Sequence, residues 1–262
     1  MPACTKSINV HLWEPINGKF LRACLAEFIA MFFFVLMCCG CAMVTLNDEL
    51  DVNQNLMQVA ASFGFGIMVI AQLVGPLSGG HINCAVSFAL FVGGRISFIR
   101  LVCYTLCQMV GSLFGALFLW AIFGTHWQGA ARAFGSNSWD EGTFNGGQVF
   151  LAEALGTALL VFTVFATIDI PTQGAGPLGV FPIAMAVMVA HLFLLPIDGC
   201  SINPTRSFGP SLVAAMSEIP GTYQDQQYMF WLGPLIGAGL AALIYGLLPL
   251  LIDPSLADYF FF

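Results

Sequence analysis

The sequence predicts an all-α membrane protein of six transmembrane helices and two re-entrant half-helices, arranged as an inverted repeat. Three observations carry that prediction: an apolar composition, six long apolar runs, and two Asn-containing segments at matching places in the two halves. Of the 262 residues 58% are hydrophobic and 8% charged, and the mean hydropathy is +0.87. Soluble domains carry about a quarter charged residues, so a soluble globular fold is excluded. The net charge of −7 gathers in polar stretches such as 47–51 and Asp140-Glu141, where it solvates the chain. Nothing in it suggests a nucleic-acid partner or a docking surface.

Taken in order, the runs 21–46, 56–74, 101–123, 149–168, 178–195 and 229–252 each approach the roughly 20 apolar residues that a bilayer crossing needs. The first twenty residues are polar and interrupted by Pro2 and Pro15, which does not fit a cleavable signal, so the first run is expected to stay in the membrane. Six crossings put both termini on one side. Lys6, Lys19 and Arg22 precede or open the first span, and Arg95 and Arg100 lie between the second and third. The first, third and fifth connections hold little beyond Arg132 and Arg206, so both termini are expected in the cytoplasm. Cysteines such as Cys24, Cys38, Cys39, Cys41, Cys103 and Cys107 lie in apolar runs and read as small packing residues. The spacing within 38–41 has no second pair to complete a zinc site, and no metal or cofactor is expected.

Two connections are too apolar for water-exposed loops. One contains Ser78-Gly79-Gly80-His81-Ile82-Asn83-Cys84-Ala85, the other Asp198-Gly199-Cys200-Ser201-Ile202-Asn203-Pro204-Thr205-Arg206. Both read as re-entrant segments. Leu25-Ala26-Glu27 opens the first span and Leu151-Ala152-Glu153 the fourth, each followed by its Asn segment, so the chain is a duplication. Three spans per half invert the second copy, and the site belongs where the broken helices meet near the midplane.

Asn is a good N-cap, and Pro204 suits a first helical position because its missing N–H would have no partner. Each half-helix directs about half a positive elementary charge toward the midplane, which disfavours cations and hydronium. The two Asn amides donate to a passing water oxygen, and a water so held cannot relay a proton. Gly79, Gly80, His81, Gly199, Cys200 and Ser201 are expected to line the path with carbonyls, since non-helical backbone at this depth must be buried or face water.

These motifs, with Arg206-Ser207-Phe208-Gly209-Pro210, resemble the aquaporin, or major intrinsic protein, family across nearly the whole chain. The resemblance implies a channel and no enzyme: residues 1–20 a cytoplasmic segment, 21–252 one channel domain with repeats at about 21–123 and 149–252, and 253–262 a cytoplasmic tail. It implies a pore through Asn83-Cys84-Ala85 and Asn203-Pro204-Thr205, and a constriction found by counting from the Asn residues. Phe63 lies twenty before Asn83; His191 lies twelve and Cys200 three before Asn203; Arg206 lies three after it. That quartet resembles the water-selective branch, and a bulky Phe63 opposite Arg206 would exclude glycerol. A permanent cation such as Arg206 is costly in a membrane unless it serves a pore. Glu27 and Glu153 are buried acids that, by the resemblance, brace the re-entrant backbones. The resemblance implies a homotetramer; a plasma-membrane location is expected, with lipid and water as partners, and passage of other small neutral solutes such as peroxide or ammonia is the nearest alternative within transport.

Two residues depart from the usual motif: Cys84 stands in place of Pro, and Thr205 in place of Ala. Cys84 regains a backbone N–H, and its thiol, at a helix N-terminus, is expected to be activated and reachable from the pore. Two rival readings remain. Gly199-Cys200-Ser201 resembles a nucleophile turn of an intramembrane hydrolase without its final Gly. The stretch 88–111 resembles a junctional member of the family with little conduction.

Overall fold

The computed structural model describes residues 11–45, 52–124, 133–169, 179–217 and 225–252. Residues 1–10 with Lys6, the acidic stretch 47–51, Arg132 and the tail 253–262 lie outside the described residues. Among those described, six helices are long and apolar enough to cross a membrane: Gly18–Val44, Leu56–Ser78, Phe98–Phe123, Gly146–Asp169, Phe181–Asp198 and Met229–Leu248. The protein is an integral, multi-pass membrane protein.

The first span is α1 (Gly18–Phe34), a π-helical turn (Val35–Cys39) and α2 (Gly40–Thr45) in continuous succession. Asn17 starts it, its side chain accepting the Lys19 and Phe20 N–H groups. Next come α3 (Val52–Ser78), the short α4 (Cys84–Val92) and α5 (Phe98–Phe123), capped by Ser97. The second half repeats the order with α6 (Gly146–Asp169), α7 (Phe181–Asp198), the short α8 (Pro204–Met216) and α9 (Met229–Ile252). At 9 and 13 residues, α4 and α8 reach about 14 Å and about 20 Å, too short to span a bilayer.

Two expected boundaries shift for the same reason. The second span is expected at 56–74 and the fifth at 178–195, yet the two helices run on to Ser78 and Asp198 and carry Pro76 and Pro196 inside. Each Pro lies in the last turn, where it releases a single carbonyl from the helical ladder, a cost that an apolar, packed helix tolerates.

Packing follows the duplication. α1 lies against α5 as α6 lies against α9; α1 against α3 as α6 against α7; α8 against α5 as α4 against α9; and α3 meets α7 between the halves. Small residues permit close approach in both halves. Gly111 and Gly115 sit on the backbone of α1, and Gly233 and Gly237 on that of α6; a Cβ at Gly111 would overlap the Phe28 carbonyl, and one at Gly237 the Ala154 carbonyl. Large apolar side chains, among them Leu25, Val69, Leu106, Leu155 and Leu243, are exposed on the outer faces, as a lipid solvent requires.

Candidate functional site

Between α3 and α4 the backbone takes left-handed values at Gly79 (φ 93°), Gly80 (φ 66°) and Ile82 (φ 52°). Between α7 and α8 the same pattern recurs at Gly199 (φ 80°), Cys200 (φ 54°) and Ile202 (φ 45°). A branched or bulky residue there is strained and persists only where its surroundings fix it. Buried acids supply that fixation. Glu27 Oε1 accepts the Ser78 hydroxyl (2.6 Å) and the His81 N–H (3.0 Å), and Oε2 accepts the Ile82 N–H (2.8 Å) and the Gln108 amide (2.7 Å). Glu153 accepts the Ser201 and Ile202 N–H groups, both at 2.7 Å.

The loops end on the two asparagines, which meet. Asn83 Oδ1 caps α4 through the Ala85 N–H (2.8 Å), and its Nδ2 donates to the Ile202 carbonyl of the other loop (2.8 Å). Asn203 Oδ1 caps α8 through the Arg206 N–H (3.2 Å), and its Nδ2 donates to the Ile82 carbonyl (2.7 Å). An amide nitrogen carries two hydrogens, so each Asn keeps one beyond this exchange. Both asparagines line a cavity of about 140 Å³, along with Gly79, Gly80, His81, Ser201 and His191. Gly199 and Cys200 do not line it, and neither does Cys84.

Three of the expected quartet pack together at His191. The Phe63 ring stacks on His191 with centroids 4.2 Å apart, and the Arg206 guanidinium carbon lies 5.0 Å from the Phe63 centroid. All four residues, Cys200 included, are 2% exposed or less. His191 Nδ1 contacts the Val187 carbonyl at 2.8 Å; a carbonyl only accepts, so Nδ1 carries a proton. His191 Nε2 and Arg206 Nε are buried with no protein partner, two polar ends available to a solute.

Two residues that sequence reasoning missed hold the arginine. Arg206 donates to the Gly135 carbonyl (2.6 Å) and to Asn137 Oδ1 (2.8 Å), and Asn137 also accepts the Ser207 hydroxyl (2.7 Å). They belong to the connection between α5 and α6, of which Gly135 and Asn137 reach the arginine. Its only cue was the turn-forming Gly135-Ser136-Asn137.

The expected pore-facing thiol at Cys84 is absent from the cavity lining. Its side chain is 2% exposed, and its N–H donates to Thr205 Oγ1 (3.3 Å). Cys24, Cys38, Cys39, Cys84, Cys103, Cys107 and Cys200 carry free thiols. Among the described residues no cluster of three His, Cys, Asp or Glu side chains could hold a metal ion.

Residues 15–245 match the family model described as MIP, Major intrinsic protein. The chain belongs to the major intrinsic protein family. It is 35% identical to Aquaporin-5 of Homo sapiens over 236 residues, covering 88% of this chain and 82% of the relative. To Aquaporin-1 of Bos taurus it is 36% identical over 231 residues, covering 86% and 81%. Among solved structures it resembles the aquaglyceroporin from Plasmodium falciparum, with a TM-score of 0.78 over 90% of this chain and 98% of that one, at 16% identity. A more distant likeness, to an FNT family ion channel, has a TM-score of 0.57 at 14% identity. As a major intrinsic protein the chain is a membrane channel and not an enzyme. The hydrolase reading falls on chemistry as well: Ser201 Oγ meets Ser207 Oγ at 2.6 Å, and no imidazole base.

Proposed function

We propose that the chain is a passive, osmotically driven water channel that excludes protons, with its path along the cavity, past Asn83 and Asn203, and out between Phe63, His191, Cys200 and Arg206. The observation that carries this reading is the contact-distance stack of Phe63 on His191 beneath Arg206. Side chains so close need part only by the width of a water molecule to pass one, while a glycerol carbon chain would have to displace a whole ring. Water moving through meets donors at fixed places: the remaining Asn83 and Asn203 amide hydrogens, then Arg206. Each turns a water oxygen toward the protein and interrupts the chain of like-oriented waters that a proton relay requires. The half-helix N-termini add positive potential at the same midplane.

The likeness to the aquaglyceroporin structure, at 16% identity, speaks for the fold alone. For this chain, stopped-flow light scattering of proteoliposomes under water, glycerol and peroxide gradients is the test. Water flux well above the lipid background with glycerol at background is the expected result; glycerol flux at the same level overturns the reading. We place both termini in the cytoplasm of a plasma-membrane protein. We also read the exposed apolar faces as covered by lipid and by three further copies in a homotetramer, each with its own path.

A further inference from the structure

The two half-helices begin differently. In α8 the first residue is Pro204, which has no N–H to satisfy. In α4 it is Cys84, whose N–H is buried at the midplane, where a donor without an acceptor is costly. The acceptor comes from the other half: Thr205 Oγ1, on the second residue of α8, lies 3.3 Å from the Cys84 nitrogen. The same oxygen lies 2.7 Å from Asn203 Oδ1 and 3.5 Å from Gln108 Oε1. A hydroxyl has one hydrogen and two lone pairs. With the hydrogen on its shortest contact, to Asn203, a lone pair remains for the Cys84 N–H.

We propose that Thr205 is a positioning residue that couples the two half-helices, and that Cys84 and Thr205 form one pair across the repeat. The hydroxyl satisfies the start of α4 and, with its hydrogen, fixes the amide of Asn203. Asn203 Oδ1 therefore has two donors, Thr205 Oγ1 and the Arg206 N–H, where Asn83 Oδ1 has only the Ala85 N–H. Held this way, Asn203 gives one amide hydrogen to the Ile82 carbonyl and keeps the other aimed at the conducted molecule. Gln108 extends the coupling, since its amide nitrogen donates to Glu27, the acid that holds the first loop. The conduction part of this inference rests on the water-channel reading; the coupling part does not.

The test separates the two. Thr205→Val removes the hydroxyl and keeps the shape, Thr205→Ser keeps the hydroxyl, and Cys84→Pro removes the N–H that needs an acceptor. In proteoliposomes normalised for channel content, Thr205→Val is expected to lower water permeability about fivefold, with Thr205→Ser within about twofold of the parent. In detergent, Thr205→Val lowers the unfolding midpoint, and Cys84→Pro added to it returns part of the loss, a non-additive cycle. Equal impairment of the Ser and Val variants, or no impairment by Val, overturns the positioning role. Strictly additive midpoints overturn the pair. A parent that passes no water breaks the channel reading, while the midpoint cycle still decides the coupling.

Discussion

The two re-entrant loops share a backbone and differ in what surrounds it. In the first, Glu27 takes four donors, two from backbone and two from Ser78 and Gln108. The Ser78 carbonyl is in turn held by Tyr104, and Tyr104 by Arg100, which pairs with Glu14 of the N-terminal strap, residues 11–17 ahead of α1, whose His11 and Leu12 carbonyls accept the Phe98 and Ile99 N–H groups. In the second, Glu153 takes two backbone donors, Asp198 stands where the first loop has Ser78, and the loop leads to Arg206. Duplication thus preserved the dihedral angles while the side-chain partners diverged. The first loop became a closed, partnered brace, and the second became the presenter of Arg206, whose Nε is buried with no protein partner.

The sharpest way to break this comparison is to remove each anchor. Glu27→Ala orphans four donors and Glu153→Ala two, so at about 1 kcal/mol per buried donor the losses should be about 4 and about 2 kcal/mol. Fluorescence-detected size exclusion after a heat ramp measures them, and a greater loss at Glu153 would reverse the assignment of brace and presenter. Arg206→Ala tests the second loop's role directly. With one buried cationic donor removed, glycerol and proton leaks should rise on the order of tenfold, the effect of about 1.4 kcal/mol on a barrier. A pH-sensitive dye inside vesicles reads the proton leak.

A smaller effect concerns the left-handed position that is Gly80 in one loop and Cys200 in the other. Cys200→Gly should relieve strain and raise the unfolding midpoint, and Gly80→Ala should lower it, each by about 1 kcal/mol. The smallest is the strap. The Arg100 hydrogen bond holds the Glu14 carboxyl below its ordinary range against the opposing pull of partial burial. A depressed folded value means that the contribution is present above the ordinary carboxylate range and fades as pH falls through the folded value. Limited proteolysis near residue 14 should therefore speed up at acid pH in the parent, while Glu14→Gln should show no such acid dependence.

Much of this was legible beforehand. Hydropathy placed the six spans to within a few residues, because lipid rewards apolar length alone, and the register from Asn83 and Asn203 reached residues that do come together: Phe63, His191 and Arg206. What stayed hidden depends on partners far away in sequence. Gly135 and Asn137 lie about seventy residues from the arginine they hold, in a connection with no apolar pattern. The π-helical turn at Val35–Cys39 has no Pro to announce it. Cys84 looked like an exposed thiol because a helix N-terminus suggests activation, whereas what decides its setting is a hydroxyl 121 residues on. The last turns of α3 and α7, which hold Pro76 and Pro196, lay beyond the apolar runs, since a Pro in the final turn breaks little.

The exchange between Asn83 and Asn203 also sets a clock for biogenesis. Each amide gives one hydrogen to a carbonyl about 120 residues away on the other half, so the first half enters the bilayer with these groups unmatched. At about 5–20 residues per second of synthesis, the wait for a partner lasts on the order of ten seconds. During that interval the nascent loop needs shelter from hydrocarbon, in the insertion machinery or in transient water, before the second half arrives to close it.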